Sequence, residues 1–130
     1  MIKTKFVTPN GLYKEVDSET ISCLSSDGWR CVLQNHMPLV LMLEISRLET
    51  VENKKKEYYA IGGGMLYFNN NEATILVNSI ESKGEIDKDR ALNAKKRAEE
   101  RINSKDENID MIRASIALKR ALNRLELLDR

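Results

Sequence analysis

Gly84-Glu85-Ile86-Asp87-Lys88-Asp89-Arg90-Ala91, residues 84–91, contains the last glycine of a 130-residue chain and opens 46 residues with neither Gly nor Pro. Gly and Pro punctuate strands and turns. Their absence from a run rich in Ala, Leu, Lys, Arg and Glu is a helical composition. Charge changes at the same point. Residues 1–84 hold all six Gly and both Pro, with nine basic and ten acidic residues. Residues 85–130 hold twelve basic and ten acidic residues, among them seven of the nine arginines. The division predicts a β module over 1–84 and a helical module over 85–130.

Working toward the N-terminus, turn signals recur at short intervals: Pro9-Asn10-Gly11, Asp27-Gly28, Asn53 to Lys56, Gly62-Gly63-Gly64 and Asn69-Asn70-Asn71. Between them lie strand-like segments at Lys3 to Val7, Glu19 to Leu24, Glu57 to Ile61, Met65 to Phe68 and Thr74 to Val77. Short strands at this spacing predict an antiparallel sandwich or barrel. Pro38 to Ile45 is nearly all apolar, which fits a strand buried on both faces or one whose second face is covered by a partner. The glycine triplet reads as part of a hairpin. No Gly-Lys-Ser/Thr follows it, so it is no phosphate loop.

Toward the C-terminus, Asp87 or a neighbour can cap a helix running to about Ile102. Asn103-Ser104-Lys105-Asp106 is the break, with Asp106 as the next cap. The first helix has a narrow stripe of Ala91, Ala94, Ala98 and Ile102. The second has a broader one: Met111, Ala114, Leu118, Ala121, Leu122, Leu125 and Leu128. Small residues on one helix admit a larger face on the other, so the two predict an antiparallel hairpin. Each helix is marginal alone, which makes the hairpin the less stable and more movable module.

Composition excludes several functions. A net charge of +1 does not suit a polyanion binder that works by bulk charge. No run reaches the roughly 18 apolar residues of a membrane span, and Met1 to Lys5 lacks the apolar stretch of a signal peptide. The expectation is a soluble chain that stays in the cytoplasm. Cys23 and Cys31 are too few for a disulfide framework, and with His36 they do not make a zinc site. Both are expected as reduced packing residues. His36 is the sole acid–base candidate and has no nucleophile or carboxylate at a diagnostic spacing, so an independent enzyme is rejected.

Arginines recur at 90, 97 and 101 on the first helix and at 113, 120 and 124 on the second, each set at i, i+7 and i+11. Seven residues return to within about 20° of the start and four more add about 40°, so each helix carries a narrow guanidinium rail. One account is a solvated face paired with Glu99, Glu100, Asp110 and Glu126, worth little. The other is recognition of phosphate or carboxylate, for which arginine forks are suited. Asp87 adds a carboxylate able to cap the helix or accept from an adenine amino group or a ribose hydroxyl. A basic hairpin could also serve a nucleic-acid or adaptor module. Near-neutral charge and an aromatic content of 5% weigh against that alternative.

Taken in order, these segments resemble the epsilon-subunit family of bacterial F-type ATP synthases over the whole chain. Val7-Thr8-Pro9-Asn10-Gly11 resembles the family's VTPDG opening, and His36-Met37-Pro38-Leu39-Val40 its GHxPLV turn. Gly62-Gly63-Gly64-Met65-Leu66 is similar to its SGGFLEV segment, and Ala73-Thr74-Ile75-Leu76-Val77 to its VTVLA strand. Ile86-Asp87-Lys88-Asp89-Arg90-Ala91 matches its (I/L)DxxRA motif. Ala117 to Leu125 is similar to the arginine-bearing helix of the ATP-binding bacillar members. Three places depart from the pattern: Cys31 to His36 replaces Gly-Ile-Leu-Pro-Gly-His, Trp29-Arg30 stands where many members have an acidic residue, and Gly64-Met65 replaces a small-Phe pair.

The resemblance implies a non-catalytic central-stalk subunit, peripheral on the cytoplasmic side of the bacterial membrane. Its β-sandwich would dock on the gamma subunit and c-ring, with His36, Pro38 and Leu39 as contacts. Its hairpin would permit turnover when folded and block ATP hydrolysis when extended into the head of alpha and beta subunits. ATP, as a regulatory ligand needing no magnesium, would hold it folded. The implied nucleotide contacts are Glu81, Ile86, Asp87, Arg90, Ala91, Arg97, Arg113, Arg120 and Arg124. No cofactor, nucleic-acid partner or membrane insertion is implied.

Overall fold

The computed structural model describes residues 1–130 except Lys105 and Glu107, of which Lys105 belongs to the expected break. Eight strands come first: β1 Ile2–Thr8, β2 Gly11–Ser18, β3 Thr20–Ser25, β4 Gly28–Leu33, β5 Leu39–Glu52, β6 Lys55–Asn69, β7 Glu72–Val77 and β8 Ile80–Ser82. A 3-10 turn at Lys83–Glu85 leads into α1, Lys88–Asn103, and α2, Met111–Leu128. The strands form one path, β2-β1-β7-β6-β5-β3-β4, with β8 on the free half of β6. Pairing is antiparallel except between β1 and β7. The architecture is the expected one, a β-sandwich followed by two helices.

Several turns follow directly from the residues at them. Asn53-Lys54 and Asn70-Asn71 adopt positive φ between β5 and β6 and between β6 and β7. Asparagine tolerates that region, and the pairing makes tight hairpins. The glycine triplet behaves differently from the sequence expectation. It is a bend inside β6, and the segments expected as separate strands, 57–61 and 65–68, are one strand.

The physical reason lies in the backbone. Gly63 and Gly64 take φ of 87° and 154°, and the β5–β6 ladder passes from Leu43↔Gly64 to Ile45↔Gly62, interrupted at Glu44 and Gly63. A Cβ on Gly64 would collide with the Leu76 carbonyl. Three glycines permit a mid-strand bend as readily as a chain reversal, and only the long-range pairing distinguishes the two. The bend lets β6 pair with β7 along one half and with β8 along the other, folding one ribbon into two layers.

Inward residues alternate along the strands and meet in one core. Ile2, Phe6, Leu48, Leu66, Phe68 and Ile75 are fully buried, with Tyr59 stacked on Phe6 at 4.8 Å between ring centroids. The strand from Leu39 is buried on one face only: Leu41 and Leu43 point in, whereas Val40 and Met42 are exposed. Cys23 is buried and Cys31 is exposed. Cys31 pairs in register with Ser22 on the neighbouring strand, so the two thiols face opposite sides of the sheet and Cys31 is not the packing residue expected.

Asp87 caps α1, its carboxylate accepting from the Arg90 N–H at 3.1 Å. The cap of α2 is Asp110, which accepts from the Ile112 and Arg113 N–H groups at 3.0 and 3.1 Å. Asp106, the cap expected from sequence, accepts instead from the Asn108 N–H within the connecting loop. The two aspartates are alike as local signals. The first buried residue of α2, Ala114, lies one turn beyond Asp110, so packing selects the later start.

Apart from Leu127, the buried residues of the two helices are alanines, Ala91 and Ala98 on α1 and Ala114 and Ala121 on α2, with Ile102, Leu118 and Leu125 partly buried. The outer part of the expected α2 stripe is not covered, since Met111 and Leu122 are exposed. Leu127, absent from that stripe, is buried with Ala60 and Ile86. It stands six residues from Ala121, about 240° around the helix. α2 therefore has two apolar faces, a smooth one toward α1 and another, Leu127 with the partly buried Leu128 beside it, toward the sandwich.

Candidate functional site

An open basin of about 460 Å³ lies where β8, the 3-10 turn and both helices converge. Glu81, Glu85, Asp87, Arg90, Ala91, Ala94, Arg97 and Arg124 line it. Its volume is within the range of small-molecule sites. The chain brings these groups together through the short β8-to-α1 connection and through the close approach of two alanine-faced helices.

All three carboxylates of the basin are already engaged. Glu81 accepts from Arg124 Nε at 2.6 Å. Asp87 caps α1. Glu85 accepts from the Ser82 N–H at 3.0 Å and from the Tyr13 hydroxyl. The Tyr13 hydrogen bond is the main influence holding the Glu85 carboxyl below its ordinary range. Burial, reinforced by the same bond, pushes the Tyr13 phenol up. Among the described residues, Arg90 and Arg97 have no carboxylate partner. The basin thus presents two guanidinium groups without a carboxylate partner, Arg90 in the first turn of α1 and Arg97 about two turns further on, an arrangement that favours an anion.

Of the nucleotide contacts implied by the resemblance, Glu81, Asp87, Arg90, Ala91, Arg97 and Arg124 line this basin together. Arg120 lies with Arg124 in an adjoining crevice beside Gly62 and Ser79. Ile86 turns its side chain away into the contact with Ala60 and Leu127. Arg113 is exposed near the start of α2 and does not line the basin. Glu85 and Tyr13 were not singled out from sequence, and Ala94 was read only as part of the apolar stripe of the first helix. Ser82-Lys83-Gly84-Glu85 has capping-box spacing, a local signal for Glu85. Tyr13 is distant in sequence and has no such signal.

The hairpin rests on the sandwich through α2. Besides Leu127, the Asn123 side-chain amide donates to the Ser46 carbonyl at 2.9 Å, and Arg124 meets Glu81. Arg47 stacks over Trp29 with 4.4 Å to the ring centroid and lies 3.9 Å from Glu126 of α2. The Trp29 departure in sequence therefore sits beside the hairpin. His36, Pro38 and Leu39 lie at and after the β4–β5 turn. His36 and Pro38 are exposed, while Leu39 packs partly on the core. The His36 ring meets the edge of Phe68 at 6.1 Å. Val40, Met42 and Tyr67 continue an exposed apolar face from this turn.

Among the described residues no group of three His, Cys, Asp or Glu is placed to hold a metal ion. No described helix is long and apolar enough to cross a membrane.

Comparison with known proteins gives a consistent result. Residues 1–83 match the family described as ATP synthase, Delta/Epsilon chain, beta-sandwich domain. Residues 85–129 match ATP synthase, Delta/Epsilon chain, long alpha-helix domain. The chain is 38% identical to the ATP synthase epsilon chain of Bacillus licheniformis over 126 residues, covering 97% of this chain and 96% of that one. It is 39% identical to the epsilon chain of Clostridium novyi over 127 residues, covering 96% and 95%. A chain in the mitochondrial ATP synthase structure of Euglena gracilis superposes with a TM-score of 0.83 at 25% identity, covering 99% of this chain and 81% of that one. A chain of the Tetrahymena thermophila enzyme shares the fold, with a TM-score of 0.56 at 15% identity and coverage of 98% and 93%.

Proposed function

The chain belongs to the delta/epsilon family of ATP synthase, as an epsilon subunit of the F-type enzyme, and from that premise we propose that its helical hairpin is a nucleotide-held regulator. In this reading the subunit is a non-catalytic part of the central stalk. Its sandwich docks on the gamma subunit and c-ring through the exposed apolar face that continues from His36 and Pro38. It is peripheral to the bacterial membrane on the cytoplasmic side. The folded hairpin permits turnover, and the hairpin extended toward the alpha and beta subunits opposes ATP hydrolysis.

The observation that carries the regulatory part is the basin whose carboxylates are all engaged while Arg90 and Arg97 are not. ATP seated there would place its phosphates among Arg90, Arg97, Arg120 and Arg124. Asp87 and the backbone near Ile86 and Ala91 would take the adenine end, and Arg113 would have to reach in from the start of α2, outside the basin lining. Because the basin needs both helices and β8 together, a ligand held there stabilises only the folded hairpin. At a hundredfold excess over Kd that amounts to about 2.7 kcal/mol.

Calorimetric titration tests this. ATP should bind the full-length chain at one equivalent, with GTP weaker, and the Arg120→Ala/Arg124→Ala variant should lose the binding. Absence of binding at millimolar ATP would remove the nucleotide reading and leave the arginines as contacts to the catalytic head.

A further inference from the structure

We propose that Tyr13 is a positioning residue of the nucleotide basin: with the Ser82 N–H, its hydroxyl holds the Glu85 carboxylate away from the arginines that a phosphate would use. This rests on the nucleotide reading above and adds to it a residue from the opposite end of the chain. Tyr13 lies on β2, and its ring packs against the sandwich core. Glu85 closes the 3-10 turn and forms part of the basin wall with Arg90, Arg97 and Arg124. Among the basin's carboxylates it is the one held by neither an arginine side chain nor the cap of α1; it closes the capping box of the 3-10 turn and adds the Tyr13 hydroxyl to it.

A glutamate beside two uncommitted guanidinium groups is a competitor for them. Each arginine it captured would be lost to phosphate, and its charge would oppose an incoming polyanion. Two hydrogen-bond donors fixed in the sandwich and at Ser82 suppress that competition, because the carboxylate is satisfied where it stands. The interaction also favours the ionised form of Glu85, so the group is held in place as a charge and not neutralised. A structural role for Tyr13 would reside in its ring. The role proposed here resides in its hydroxyl.

The test is ATP titration of four full-length proteins: unaltered, Tyr13→Phe, Glu85→Gln and the double variant. Phenylalanine keeps the packed ring and removes only the donor. Tyr13→Phe should weaken ATP binding about fivefold, the scale of letting one existing unit charge move a few ångströms closer to a multiply charged ligand in a solvated site. Glu85→Gln alone should bind ATP at least as tightly as the unaltered protein, because the amide neither captures arginine nor repels phosphate. The double variant should return to the same range, a rescue that a packing defect would not give. Equal affinity of Tyr13→Phe and unaltered protein would overturn the inference. So would a double variant as weak as Tyr13→Phe. Failure of the unaltered protein to bind ATP would instead overturn the nucleotide reading, and this inference with it.

Discussion

The sandwich closes on Phe6, Leu48, Tyr59, Leu66 and Phe68, whereas the hairpin's buried residues, apart from Leu127, are four alanines. Both regions are buried at their centres, but they bury different things. Large interdigitating side chains fix one arrangement, because sliding by one position opens cavities throughout the layer. A smooth alanine seam brings two helices close with little to interlock. The sandwich also has ladder hydrogen bonds along its whole strand path, while the hairpin meets it mainly through Leu127 and Leu128, one amide and two arginine contacts. A chain built this way has a more firmly fixed base than appendage, and the proposed ligand control rests on that difference.

Core truncations should separate the two most strongly. Phe68→Ala should cost about 3–5 kcal/mol and lower the stability of the entire chain in one transition. Leu127→Ala should cost about 2–4 kcal/mol, confined to hairpin docking, with the sandwich unfolding where it did before. Trp29, the only tryptophan, reports the difference: Arg47 connects it to Glu126, so its fluorescence should change on undocking before the sandwich melts. A single transition for Leu127→Ala at every probe would mean that the two regions fold as one.

Alkaline pH should then act on the sandwich alone. Burial pushes the Cys23 thiol from 9.0 up to about 11 and raises the Tyr59 phenol as well. Residues 85–130 contain neither Cys nor Tyr. Both groups fold in their neutral forms, and their folded values lie above the unfolded ones. The Cys23 contribution is therefore complete below about pH 9 and is lost as pH rises toward 11, whereas that of Tyr59 is complete below about pH 10.0 and only begins to be lost above it. For Cys23 that is on the order of 2–3 kcal/mol. Urea midpoints at pH 8 and 10.5 should show the fall, and Cys23→Ala should flatten it.

Much of this contrast was legible in the sequence, since the loss of Gly and Pro after Gly84 marks where strands give way to helices. Asn-rich turns and the Asp87 cap were legible because their chemistry is local. The bend at Gly63 and Gly64 was not. A glycine run permits positive φ, but only the partner strands β5 and β7 determine whether the chain reverses or bends. Asp106 and Asp110 are equivalent as local signals, and burial of Ala114 decides between them. Leu127 lay outside the stripe because its partners, Ala60 and Ile86, come from other elements. Most of the basin could be named from the Asp87-x-x-Arg90-Ala91 resemblance and the arginine spacing. Glu85 had only a local capping-box pattern, and Tyr13, contributed by β2 some seventy residues earlier, had no signal of its own.

Hydrogen exchange of the full-length chain with and without ATP tests the account most directly. The prediction is that amides of Lys88–Asn103 and Met111–Leu128 exchange through an opening that leaves the strands protected, and that ATP slows the helices while leaving the strands unchanged. Helices and strands exchanging with the same free energy, or helices indifferent to ATP, would contradict it.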